Sequence, residues 1–281
     1  MFDPGRIDGA QVDLIDRVIT ALVTNDDVDV TSIMLIGAHC RDLLHLAFGR
    51  NDHLRSTSDV DLALAVHGHT DYRRITSALP RSGSTGIRYT VAEITVDLIP
   101  FGEIEDPAGT TSLPDRTETI DVFGFREVFD RSIPLTLPSG SPIRLPSPAG
   151  YAALKLKAWC DRSVNGEYKD AADIATLCDW YQRDTDIRAS LFESEPDRTD
   201  LLIRAGMDVD TATLFLLGQA ISNVLGKDRT AELARAWAHT DRGILAEYFA
   251  RERSRARPDP IAAHRAITAL TDFLARPSEA E

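Results

Sequence analysis

Apolar positions recur at helical spacing over residues 9–23 (GAQVDLIDRVITALV). Val12, Ile15, Val18, Ile19 and Leu22 share one face and predict an amphipathic helix. The wholly apolar run SIMLI at 32–36 predicts a buried strand. Gly37 punctuates it, and AHCRDLLHLAF predicts a helix ending near Gly49. After a polar loop at 50–57, SDVDLALAV at 58–66 alternates with period two, so Val60, Leu62, Leu64 and Val66 line one face of a strand. A turn at HGHTD, a helix over 70–79 and a Gly/Ser-rich turn at 82–86 follow, then strands over 87–91 and 94–99. PFGEIEDPAG opens a long loop, with a short strand expected at 119–122 and a short helix at 124–131. The proline-rich stretch 133–148, with its β-like pieces LTL and IRL, reads as the transition between two regions. Beyond it every periodic segment is helical: 149–162, 169–183, 199–206, 210–225, 229–254 and 260–275. The pattern predicts an α+β fold, with a mixed sheet and helices over 1–146 and an all-helical domain over 147–281.

The chain has 281 residues, enough for one large domain or two modest ones. Hydrophobic residues at 43% and charged residues at 27% exclude a disordered chain and supply a core. No apolar run approaches the roughly 18 residues of a membrane helix, so no membrane partner is expected. The start MFDPGRIDGA lacks the basic-then-apolar pattern of a signal peptide, and a cytoplasmic location is the expectation. Cys40, Cys160 and Cys178 are scattered without metal-ligand spacing and are expected to be reduced, mostly buried thiols. A net charge of −13 excludes a basic coat over the whole surface, though not a local basic patch. Only four lysines occur, and three of them, Lys155, Lys157 and Lys169, lie close together in the chain. A lysine ammonium is a compact point charge suited to phosphate.

Ser58-Asp59-Val60-Asp61 is the sharpest chemical feature. Residues i and i+2 of a strand point to one face, so Asp59 and Asp61 share the face opposite Val60 and Leu62. Aspartate is disfavoured in strands, and two on one face repel unless a counter-charge joins them. In ITVDLI, Asp97 stands among apolar residues in the same way. If the two strands are neighbours, Asp59, Asp61 and Asp97 form a trio able to hold divalent cations, two Mg²⁺ ions being expected together with substrate phosphates. That arrangement serves phosphoryl or nucleotidyl transfer. The alternative is strand-end acids neutralised by an arginine such as Arg55. Just upstream, the junction Ile36-Gly37-Ala38-His39 lets backbone approach a phosphate at the start of a helix.

Together these residues resemble the nucleotidyltransferase superfamily with a polymerase-β-like core, and within it the AbiEii-type toxin family. The resemblance rests on LIG at 35–37, RSTSDVDLAL at 55–64, VDLIPFG at 96–102, ALKLKAWCDR at 153–162 and KDAADI at 169–174. It implies a nucleotidyltransferase-type N-terminal domain. It also implies catalytic roles for Asp59, Asp61, Asp97, Lys155 and Asp170, and nucleotide contacts from Gly37, Ala38, Arg55, Ser58 and Lys169. Lys155 and the Lys169-Asp170-x-x-Asp173 element of the helical domain are expected to join the cleft, Lys155 at the β/γ phosphates of an NTP and Asp170 orienting Lys155 or the acceptor. The implied reaction passes a nucleoside monophosphate to a hydroxyl acceptor, RNA and in particular tRNA, under the restraint of an antitoxin protein. The chain departs from the family turn, which carries a second Gly or a Ser where Ala38 and His39 stand. A small-molecule acceptor of antibiotic type, and a nucleotide- or partner-binding module without turnover, remain as alternatives.

Other groups read more plainly. His67 and His69 flank a glycine in an exposed turn, and Trp159, Trp180 and Tyr181 belong to helix cores. Arg242, Arg251, Arg253, Arg255 and Arg257 form either a grip on an RNA backbone or a solvated helix end.

Overall fold

Helix α1 (Gly9–Asn25) turns its apolar stripe inward: Val12, Ile15, Val18, Ile19 and Leu22 are each at most 2% exposed. The computed structural model describes residues 2–25, 28–52, 54, 55, 57–194, 198–253 and 257–275. The chain divides into two compact units, Phe2–Ser147 and the part from Pro148 onward.

In the first unit α1 is followed by β1 (Ile33–Ile36), α2 (Gly37–Ala47), β2 (Val60–Val66), α3 (His69–Thr76), β3 (Arg88–Val91) and β4 (Ile94–Gly102). The short pair β5 (Thr110–Thr111) and β6 (Ile120–Asp121), helix α4 (Phe125–Asp130), and strands β7 (Ile133–Thr136) and β8 (Pro142–Leu145) complete it. Among the described residues a six-stranded mixed sheet runs β3-β4-β2-β1-β8-β7. β2 lies antiparallel to β1 and parallel to β4, while β3 and β4 form an antiparallel hairpin. Val60, Leu62, Leu64, Val96 and Leu98 are all fully buried, which fixes register, because a one-residue slip would turn the aspartates into the core.

Three expectations are corrected. The stretch 133–148 is not a transition: β7 and β8 pair with each other, and β8 joins the sheet parallel to β1. Its prolines are tolerated because Pro134 lies on the edge strand and Pro142 is the first residue of its strand. β4 continues past 99 to Gly102, pairing Leu64 with Pro100 and Ala65 with Phe101. Leu98 N–H donates to the Ile87 carbonyl on the β3 side. By alternation Pro100 faces that same side beyond the end of β3, so its missing N–H breaks no ladder bond. Finally, 229–254 is not one helix, as the second unit makes plain.

Among its described residues that unit holds helices and no strand: α5 (Pro148–Arg162), α6 (Asp170–Arg183), α7 (Thr185–Ser190), α8 (Thr199–Arg204), α9 (Val209–Trp237), α10 (Arg242–Arg253), α11 (Pro260–Leu270) and α12 (Asp272–Ala275). Gly226, at φ +71° and ψ 178°, kinks α9. The chain then breaks at 238–241, where Asp241 receives the N–H groups of Gly243 and Ile244 and starts α10. Trp159 and Trp180 are fully buried in this unit's core. No helix among the described residues is long and apolar enough to cross a membrane.

Candidate metal centre

Register brings the acids together. Asp61 pairs directly with Asp97 across the parallel β2/β4 ladder, and Ile36, the last residue of β1, pairs with Asp61 from the other side. Asp59 lies just before β2, on the same face as Asp61. One carboxylate oxygen from each of Asp59, Asp61 and Asp97 lies within 4.8 Å of the others, and among the described residues no other group of three potential ligands converges so closely. At such separations two like charges repel by about 3 kcal/mol at an effective dielectric constant near 20. The trio therefore requires positive charge.

Part of it comes from Arg88, the cross-strand partner of Asp97 in the β3/β4 hairpin. Its Nε donates to Asp97 Oδ1 at 2.8 Å and its Nη2 to Asp97 Oδ2 at 2.7 Å. The same Nη2 reaches Asp59 Oδ2 at 3.1 Å. The Thr57 hydroxyl donates to the other Asp59 oxygen. This hydrogen bond, with lesser help from Arg88 and His39, holds the Asp59 carboxyl below its ordinary pKa. Arg88 itself is raised, first by its hydrogen bond to Asp97. The arginine on the carboxylates is thus Arg88 and not Arg55, whose side chain is exposed. The backbone carbonyl of Arg55 instead accepts from the buried Arg41 of α2 at 2.6 Å, which ties the loop before Asp59 to that helix.

Helix α2 starts against the trio. Its first residue, Gly37, has φ +68°, and a Cβ built there would lie 1.9 Å from Asp61 Oδ2. Only glycine fits both the angle and the approach. The helix begins without a side-chain cap, so its first turn, with Ala38 and His39, offers backbone N–H groups and the positive dipole end near the carboxylates. His39 is half-buried, and burial lowers its pKa against the opposing pull of Asp42 and Asp59. Among the described residues its Nε2 has no hydrogen-bond partner. Ser58 is exposed immediately before Asp59.

The donor set suits a hard cation: three carboxylates supply oxygen only, and the Asp59 and Asp97 side chains are 32% and 13% exposed, within reach of solvent.

A separate charged cluster forms in the second unit. Lys155 Nζ lies 2.6 Å from Asp173 Oδ2 and 3.2 Å from Asp170 Oδ1, and Arg162 Nη1 lies 3.1 Å from Asp170 Oδ2. Asp170 is fully buried and Asp173 nearly so. Lys169, expected to act with them, is exposed at the start of α6. Lys157 pairs instead with Asp161, one turn along its own helix. Of the arginine stretch, Arg251 stacks over Tyr248 and pairs with Glu247, while Arg253 pairs with Asp179. Arg255 lies outside the described residues.

Nothing in the sequence pattern singles out Arg88 or Thr57, whereas Arg162 is the arginine of the segment ALKLKAWCDR. Placing the β3/β4 turn at Ala92-Glu93 pairs 88 with 97 and finds Arg88. Arg162 lies seven residues after Lys155, on the same helix face. No protein-family model and no curated protein matches the chain.

Proposed function

We propose that the protein is a metal-dependent nucleotidyltransferase, which passes a nucleoside monophosphate from an NTP to a hydroxyl acceptor and releases pyrophosphate. The observation that carries this reading is the convergence of Asp59, Asp61 and Asp97 beside the uncapped first turn of α2. Asp59, Asp61 and Asp97 would hold Mg²⁺, two ions by the chemistry of such trios. Bound there, Mg²⁺ neutralises phosphate charge and makes the acceptor hydroxyl more acidic. The backbone N–H groups of Gly37 and Ala38 receive phosphate oxygens at the positive end of α2. Ser58 and Arg55, exposed on the approach to Asp59, add contacts to the nucleotide. The roles of Lys155 and Lys169 toward phosphate, and of Asp170 in orienting Lys155, rest on the AbiEii-type resemblance. So do an RNA acceptor, tRNA in particular, and a restraining antitoxin.

Incubating the protein with each labelled NTP, Mg²⁺ and total RNA should label RNA and release pyrophosphate. The Asp59→Asn and Asp61→Asn variants should do neither. Transfer only to an aminoglycoside-type hydroxyl would redirect the acceptor to small molecules. A second reading draws on Arg88, which already neutralises two of the carboxylates, as a binding module without turnover would retain. Nucleotide binding by calorimetry with no pyrophosphate release would favour it.

A further inference from the structure

Resting on the metal-dependent reading, we propose that Arg88 is the resident counter-ion of the trio and that it transfers from the carboxylates to the triphosphate when metal enters, coupling metal binding to nucleotide binding.

Both oxygens of Asp97 accept from Arg88, while Asp59 has one oxygen on Arg88 and the other on Thr57. Each of these oxygens keeps a second lone pair, but a cation drawing an oxygen from each of Asp59 and Asp97 is repelled by the guanidinium and competes with it for the same negative charge. Metal alone therefore binds against Arg88. A triphosphate changes the balance, because phosphate oxygens accept the same planar pair of N–H bonds that Asp97 accepts. Released to phosphate, Arg88 keeps a charge-assisted partner and the carboxylates become free for metal. Arg88 is one-third exposed, so its side chain has solvent-side room to turn. Since coupling is reciprocal, metal must tighten nucleotide by the same factor. A site built this way holds metal weakly until the nucleotide arrives.

The test measures Mn²⁺ binding by electron paramagnetic resonance, alone and with a non-hydrolysable α,β-methylene NTP, on wild type, Arg88→Met and Arg88→Lys. Wild type should bind Mn²⁺ weakly alone and about tenfold or more tightly with the analogue. Arg88→Met should bind Mn²⁺ alone more tightly than wild type, and the analogue should add little. Arg88→Lys, with charge but no fork, should fall between. Weaker or unchanged Mn²⁺ binding by Arg88→Met, or an undiminished effect of the analogue, overturns the handover while leaving the metal site intact. Absence of Mn²⁺ binding in every protein, with and without analogue, overturns the metal-site reading and the handover with it. If Arg88→Met does not fold, the Nε–H resonance of Arg88 decides on wild type. It should be protected from exchange by Asp97 and should shift when Mg²⁺ and analogue are added together, though not with Mg²⁺ alone. A resonance that never moves, although the analogue binds, refutes the proposal.

Discussion

The Cβ position of Gly37 falls 1.9 Å from Oδ2 of Asp61. The start of α2 and a central carboxylate of the trio therefore occupy adjoining space that no side chain at 37 can share. Gly37→Ala meets both that overlap and a φ of +68°. We expect a cost of about 1–3 kcal/mol from the backbone alone and a displaced Asp61. All three tryptophans, Trp159, Trp180 and Trp237, lie in the other unit, so fluorescence would miss the change. Hydrogen exchange at β2 and α2 should show lost protection, and Mn²⁺ titration should show weakened binding. Unchanged Mn²⁺ affinity in the variant would mean that Asp61 takes no part in holding metal.

The Asp170 cluster makes a separate prediction about stability. Asp170 is fully buried and bridges Lys155 to Arg162. Asp170→Ala leaves Lys155 its ion pair with Asp173 and Arg162 its solvent contact, so the expected loss is that of charge-assisted hydrogen bonds, about 1.5–3 kcal/mol. Exposed Lys169 carries no such burden, and Lys169→Ala should stay within about 0.5 kcal/mol of wild type. Urea titration followed by tryptophan fluorescence reads this unit directly. Equal midpoints for Asp170→Ala and wild type would refute a structural role for the cluster.

What could be read from the chain divides along local and non-local lines. The alternation Val60-Leu62-Leu64-Val66 declared a strand because it repeats every two residues, and it set Asp59 and Asp61 on one face. The convergence of Asp97 needed only the assumption that β4 lies next to β2. Arg88 was invisible because its role depends on hairpin register, which an Ala92-Glu93 turn with positive φ at both residues does not announce. Neither residue is a usual choice for that conformation. The 133–148 stretch hides its strands for a related reason. Proline signals a break locally, and only the sheet order, which puts Pro134 on an edge strand, permits it. The apolar pattern itself lapses over His239-Thr240-Asp241-Arg242-Gly243, and the Asp241 cap decides the 238–241 break.

Buried thiols give a pH-dependent prediction. Cys40, Cys160 and Cys178 are all buried thiols, and burial pushes the Cys160 and Cys178 thiols up to about 12. In the unfolded chain they ionise near 9.0. The folded state holds their protons more tightly, so the stability they contribute is complete below about pH 9 and is lost as pH rises toward 12. Ellman's reagent at pH 8 should label none of the three in native protein and all three in guanidinium. Rapid labelling of Cys178 in the native state would contradict the packing of α6.

His39 supplies the most direct report on the trio. Burial lowers its pKa below 6.5, while Asp42 and Asp59 pull the other way. Imidazole titration by NMR should therefore give a value below 6.5, and Asp59→Asn should lower it further by removing one source of negative potential. The linkage has a definite sign. The unfolded chain takes up the His39 proton first, so stability is highest above pH 6.5 and falls as pH drops toward the folded value, below which this contribution is constant. Asp59, lowered in the fold, adds stability above 3.8 that is lost as pH falls through its own depressed value. A divalent cation among the carboxylates adds positive charge beside the imidazole. With the NTP analogue bound throughout, adding Mg²⁺ should thus depress the His39 pKa in wild type and leave it unmoved in Asp61→Asn. If the analogue binds but His39 titrates identically with and without Mg²⁺, the cation does not reside at the trio.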